Sequence, residues 1–289
     1  MRRIGIMLSC LLILCAAGAA AQVQSTEPVQ RGNAATEADV LCAGMITNEN
    51  VPYDMYVISG EQADPQTIYS LGQYVYLNKG SGDGVNVGDE FMVLRPLKDP
   101  LHVKTYDAEH TLANSLGTQW ADIGRVRVQV VHPRVSIARV SYSCTYIQRG
   151  DYVRPAVDYP KPAFRPLRDL DRFAPPSGKA QGRVVRAKNY QYMEERGAVV
   201  YVNLTGVKPG DYIRFFRQPA PRNNSVYQIG GMADHVFGFG NTPQRWTSDE
   251  LPREVLGEGV VLRVTASSAS VLVYNPLREI YLGDFVEVE

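Results

Sequence analysis

Gly-Asp corners ahead of an apolar strand pattern recur along the chain, at Gly88-Asp89, Gly150-Asp151, Gly210-Asp211 and Gly283-Asp284. A carboxylate beside a permissive backbone can hold a cation, or it can fold back onto the amides of its own turn. Other residues with chemistry to offer are sparse. His102, His110, His132 and His235 stand at no metal-ligand spacing from Cys, Asp or Glu, although His102 and His110 share a stretch with Asp107 and Glu109. Glu194-Glu195 and Asp249-Glu250 are adjacent acids, whereas a glycosidase needs two carboxylates facing each other across a substrate. G-x-S-x-G, S-x-x-K, H-E-x-x-H and Walker-type patterns are absent. The glycine-rich NKGSGDG of residues 78–84 joins two strand patterns instead of opening a helix, so it reads as a hairpin turn. The sequence therefore offers no catalytic, cofactor-binding or metal-binding residue, and we read the chain as a non-enzyme.

Recurrence decides between the two uses of the Gly-Asp corners. GVNVGDEFMVLRP, residues 84–96, returns as GVKPGDYIRFFRQ, residues 206–218, with Arg95 and Arg217 at the same distance from Gly88 and Gly210. Gly124 and Gly150 are 26 positions apart, and so are Gly257 and Gly283. Each corner is followed within two residues of its Asp by an apolar strand residue: Phe91, Val153, Ile213 or Val286. Four copies in one grammatical slot predict structural turns, with glycine at positive φ and aspartate bonding across the turn.

The elements around these corners are short runs rich in Val, Ile, Tyr and Phe, many alternating apolar with polar, as in YVYL, GRVRVQVV, AVVYVNL and GVVLRV. They predict a mainly β protein with two homologous small barrel or sandwich domains in tandem. The expected inner faces hold Val75, Leu77, Phe91, Val93, Val126, Val128 and Val140 in one, and Val200, Val202, Ile213, Phe215, Val261, Val271 and Val273 in the other. The expected division is a signal peptide over 1–21, a flexible lead over 22–40, a first β-domain over 41–155, a proline-rich linker over 156–180 and a second β-domain over 181–289. Pro160, Pro162, Pro166, Pro175 and Pro176 exclude helix and central strand from that linker, which Phe164 and Phe173 are placed to pin to a domain surface. Each domain carries a long insertion. The first includes a helical pattern near DAEHTLANSL. The second places Tyr227, Phe237, Phe239 and Trp246 among glycines, a candidate contact surface for sugars or a protein, with the alternative that these rings cover a barrel end.

The N-terminus gives an address. Arg2 and Arg3, an apolar run and Ala19-Ala20-Ala21 before Gln22 form the layout of a secretory signal peptide, and the run is too short to span a bilayer. Export to the periplasm or outside the cell is expected. A lipoprotein is the disfavoured alternative, because Leu14 precedes Cys15 where a lipobox carries a small residue. Cleavage after Ala21 leaves 28 cations against 30 acids, a formal charge of −2, which gives no electrostatic case for nucleic acid. It also leaves Cys42 and Cys144, for which a bridge or two separate buried thiols are both open.

The pattern of strand, N…GV..GD, apolar strand with its Arg, insertion, G.v.V and i..GD.v resembles the C-terminal β-domain of the flagellar assembly protein T family and similar bacterial envelope modules. The resemblance covers residues 74–154 and 199–288 separately. It implies a secreted, non-catalytic module that works by contact, with envelope proteins or cell-wall polysaccharide as partners. The expected function is that of a structural scaffold in a periplasmic assembly. The alternative is a polysaccharide-binding module using the aromatic insertion.

Overall fold

Runs of β-branched and aromatic residues interrupted by glycine become short strands throughout the chain. The structure, a computed structural model, describes residues 35–61, 66–98, 106, 108–218 and 251–289. The signal-like segment, most of the expected flexible lead, and Tyr227, Phe237, Phe239 and Trp246 lie outside the described residues. The protein is mainly β. The first half contains helix α1 (Glu37–Leu41), β1 (Met45–Thr47), β2 (Val57–Gly60), β3 (Ile68–Tyr69), β4 (Tyr74–Leu77), β5 (Glu90–Leu97), helix α2 (Glu109–Leu116), β6 (Thr118–Val131), β7 (Ser136–Ser143), β8 (Ile147–Gln148) and β9 (Tyr152–Pro155). The second contains β10 (Gln181–Ala187), β11 (Met193–Glu194), β12 (Val199–Val202), β13 (Tyr212–Arg217), β14 (Glu254–Val264), β15 (Ala269–Pro276), β16 (Ile280–Tyr281) and β17 (Phe285–Val288).

In the second half the strands close into a barrel of order β10-β12-β15-β14-β13-β17. In the first, a sheet runs β2-β4-β7-β6-β5-β9, with β1 added along β6. Its two ends meet where Tyr56 bridges Tyr152 and the Val57 amide donates to the Asp151 carbonyl at 2.9 Å. The two halves share strand order, register and bulges. Glu90 pairs with Arg127 as Tyr212 pairs with Val260, and Arg125 with Tyr142 as Glu258 pairs with Asn275. The register also slips between Val93 and Leu94 and between Phe215 and Phe216, at matching places.

Alternation sends one face of each strand inward. All the inner-face residues anticipated above are buried, in two separate apolar cores. A third apolar cluster joins the halves. Val40 of α1, Ile46 of β1 and Leu116 of α2 pack on the outer face of the barrel against Val199, Val260 and Leu272. At the same register positions the first sheet carries Tyr74, Arg127 and Arg139 on its outer face. The two halves form one compact unit.

Two expectations, a lead flexible to residue 40 and a linker pinned by Phe164 and Phe173, are corrected here. The lead is not flexible up to residue 40. Thr36 caps α1 by accepting from the Asp39 amide at 3.1 Å while its own amide donates to the Asp39 carboxylate at 2.7 Å, and Ala35 and Val40 are buried. Residues 156–180 begin on the first sheet, where the Ala156 amide donates to the Glu90 carbonyl at 3.0 Å, and from Arg165 onwards form a strap bound along the barrel. Arg253 donates to the carbonyls of Ala174 and Pro175 at 3.2 and 2.8 Å, the Val255 amide to that of Arg172 at 2.8 Å, and Asn275 to that of Arg168 at 2.9 Å. Phe164 and Phe173 do not pin it, since both are exposed. In the first insertion, α2 and Tyr106 pack against the second barrel, with the Tyr106 ring over Gly283. Its described part is internal cement.

Candidate functional site

Each Gly-Asp corner is built the same way. Gly88, Gly150, Gly210 and Gly283 have φ of 93°, 84°, 93° and 94°, a region that costs an L-residue strain but glycine nothing. The aspartate then reaches back three residues. Asp89 accepts from the Asn86 amide at 2.8 Å, Asp151 from Gln148 at 2.8 Å, Asp211 from Lys208 at 2.9 Å and Asp284 from Tyr281 at 2.7 Å.

Two of the four carry more. Asp151 and Asp284 are buried, and each accepts two parallel bonds from the arginine that recurred in the sequence. Arg95 Nε and Nη2 reach Asp151 at 2.7 and 2.8 Å, and Arg217 Nε and Nη2 reach Asp284 at 2.7 Å each. The bonds to Asp284 raise Arg217 above the ordinary guanidinium value, against the opposing effect of burial. Arg95 and Arg217 each also donate to a carbonyl, of Tyr146 and Glu279, both at 3.1 Å. A cation at these corners would have to displace a bidentate arginine, so the carboxylates serve the turn.

Among the other residues singled out from the sequence, His110 and His132 lie in separate places, on α2 and in the β6–β7 turn, and His102, Asp107, His235, Asp249 and Glu250 lie outside the described residues. No group of three or more His, Cys, Asp and Glu side chains that could hold a metal occurs among the described residues. Glu194 and Glu195 diverge, one buried and one exposed. Cys42 and Cys144 form a disulfide with Cα atoms 5.6 Å apart, which resolves the alternative left open by the sequence. No described helix is long and apolar enough to cross a membrane.

Sequence reasoning missed one matched glycine pair, the bonds made by one matched asparagine pair, and one union. Gly72 and Gly197 repeat each other, with φ of 87° and 86° and amides donating to Val140 and Val273 at 2.9 Å. Asn78 and Asn203 accept from the amides of Tyr56 and Arg183, tying the ends of β4 and β12 to β2 and β10. The asparagines recur in the sequence pattern, but which strand each one ties is set by the sheet and not by its neighbours in the chain. The union is Arg263 with Asp122, buried and paired at 3.0 and 3.1 Å across the halves. No local pattern links two residues so far apart in the chain.

The described surface holds an open cleft of about 590 Å³ between α1, the outer face of the first sheet and the start of the strap. Glu37, Glu90, Arg125, Ser141, Tyr142 and Lys161 contribute its polar lining. Arg125 is held at one edge by Asp158 at 3.1 Å and the Val157 carbonyl at 2.7 Å. Compared with known protein families and with curated proteins, the chain matches none.

Proposed function

We propose that this chain is an exported, non-enzymatic envelope protein that acts as a scaffold in a periplasmic assembly. The observation that carries the reading is the rigid union of two like β-units. Asp122 accepts from Arg263 and from the Gly44 amide, Tyr201 donates to the Ala43 carbonyl at 3.1 Å, and Ser270 donates to the Gly44 carbonyl at 2.8 Å, all buried. A buried polar network of this kind fixes one orientation of two bodies, because any other leaves polar groups unpaired in a low-dielectric interior. A fixed orientation serves a protein that holds partners at a set distance. The Cys42–Cys144 disulfide favours an oxidising compartment and so supports export. The resemblance to the flagellar assembly protein T domain points the same way.

Proximity crosslinking in the native envelope tests the proposal. Recurrent capture of the same envelope proteins is expected, and a freely diffusing monomer that captures nothing would sink it. A second reading, binding of cell-wall polysaccharide through the aromatic insertion, is favoured by one surface feature. Tyr192 is 60% exposed and stacked on Tyr281, with Arg217 on that same ring close to where the insertion leaves β13. Retention on purified sacculi, lost with Tyr192→Ala, would favour this reading over the first.

A further inference from the structure

We propose that the cleft on the first sheet seats an extended, basic peptide segment of a partner protein. The precedent lies in the second barrel, where the equivalent place is already filled by the chain's own strap. There the Arg165 guanidinium lies over the Tyr212 ring at 4.2 Å, Arg165 and Arg168 pair with Glu258, and Tyr274 and Asn275 donate to the carbonyls of Arg165 and Arg168. An aromatic ring, a carboxylate and two side-chain donors to backbone together hold an extended arginine-bearing segment.

Register transfers this seat to the first half residue by residue. Tyr212, Glu258, Tyr274 and Asn275 correspond to Glu90, Arg125, Ser141 and Tyr142. All four line the cleft, which nothing in the described chain fills. The ingredients persist in exchanged positions. The ring moves from β13 to Tyr142 on β7, Arg125 takes the place of Glu258 while the carboxylate moves to Glu90 on β5, and the Ser141 hydroxyl, at the place of Tyr274, donates to Glu90 at 3.4 Å. Of the charges that line the cleft, Arg125 pairs with the exposed Asp158 at 3.1 Å, while Glu37, Glu90 and Lys161 make no ion pair among the described residues, so three acids stand against two bases. That excess of one acid favours a basic occupant, as Glu258 favours the strap's arginines on the barrel. The volume of about 590 Å³ lies within the range of about 300 to 1,000 Å³ typical of ligand clefts.

This inference rests on the scaffold reading only for the source of the peptide, and its test is independent of that reading. The probe is a fluorescent synthetic peptide with the sequence of residues 163–172, AFRPLRDLDR, titrated into the full mature chain and read by anisotropy. Saturable binding is expected, weakened about tenfold in the Glu37→Lys/Glu90→Lys variant and in a peptide with its arginines replaced by glutamine. An unchanged melting temperature confirms that the variant is folded. No saturable binding overturns the proposal, as does binding indifferent to the two reversals, which would place the peptide on the barrel in competition with the strap. Tighter binding of an all-acidic peptide, or displacement of the probe by chitotetraose, also overturns it, the latter in favour of a glycan. If the peptide binds as expected while envelope crosslinking captures nothing, the scaffold reading falls and the cleft stands.

Discussion

Glu194, on β11, is 5% exposed, and its Oε1 has no hydrogen-bond partner among the described residues. Burial, with a smaller contribution from the charge of Glu195, raises its carboxyl to about 7. A folded-state value above the unfolded one means that the folded protein binds the extra proton. The stability this contributes is present below the ordinary glutamate range and is lost as pH rises towards 7. Glu194→Gln should therefore raise stability at pH 8 by about 1–2 kcal/mol and change little at pH 4.5, measured by urea denaturation at both values. The opposite sign at pH 8 would show that the carboxylate is stabilised in place. A second test compares two corners. A Cβ at Gly150 meets nothing within 4 Å, whereas at Gly283 it meets the Tyr106 ring at 2.7 Å. Both have positive φ, so Gly150→Ala should cost about 1 kcal/mol for the backbone alone and Gly283→Ala clearly more, in thermal melts of the two variants.

At the scale of elements, the corners and the strap show how loops are held in a protein with little helix. The strap has no strand or helix of its own, and its carbonyls are taken up by Arg253, Asn275 and Tyr274 from the barrel. Glu287 beneath it is fully buried. Burial alone would raise its carboxyl, but the bonds from Arg253 and the Ser177 amide, with the Arg253 and Arg214 charges, hold it below the ordinary glutamate value. The disulfide acts on another element, tying the end of α1 to the segment after β7. It spans 102 positions, and on a chain-entropy model such closure stabilises by about 3–5 kcal/mol. Cys42→Ser/Cys144→Ser should lower the urea midpoint accordingly, and reduction of the wild-type chain should reproduce the shift. An unchanged midpoint would mean that the packing of α1 alone holds that end.

At the scale of the molecule, the halves are coupled through α1, β1 and α2, which pack on the outer face of the barrel while β1 stays paired to β6. Calorimetry should show one cooperative transition for the wild-type chain. Asp122→Ala leaves the Arg263 charge buried without its partner and should cost about 3–5 kcal/mol, with the transition broadened or split. Two resolved transitions in the wild type would contradict the coupling.

Much of this was legible before any coordinates. Strand alternation named the inner faces, and the repeated Gly-Asp and Arg positions marked the corners, because period-two patterning and positive φ are local demands that residue types must answer. The partners of Arg95 and Arg217 were not legible as such, although both arginines and both aspartates recur in the sequence, since a bidentate pair depends on which strand ends meet. The strap read as a linker because proline excludes regular structure without saying whether the segment is bound. The covered barrel face was hidden for a similar reason. Val199, Val260 and Leu272 occupy outward positions, and apolar residues there signal a covering surface without naming it. What the sequence determined by itself was the β character of the chain and the design of its turns, both fixed within a few residues. Tertiary structure decided that α1 and α2 cover the second barrel, that the strap fills a seat there, and that the matching seat on the first sheet stays open. Those outcomes depend on which distant surfaces meet.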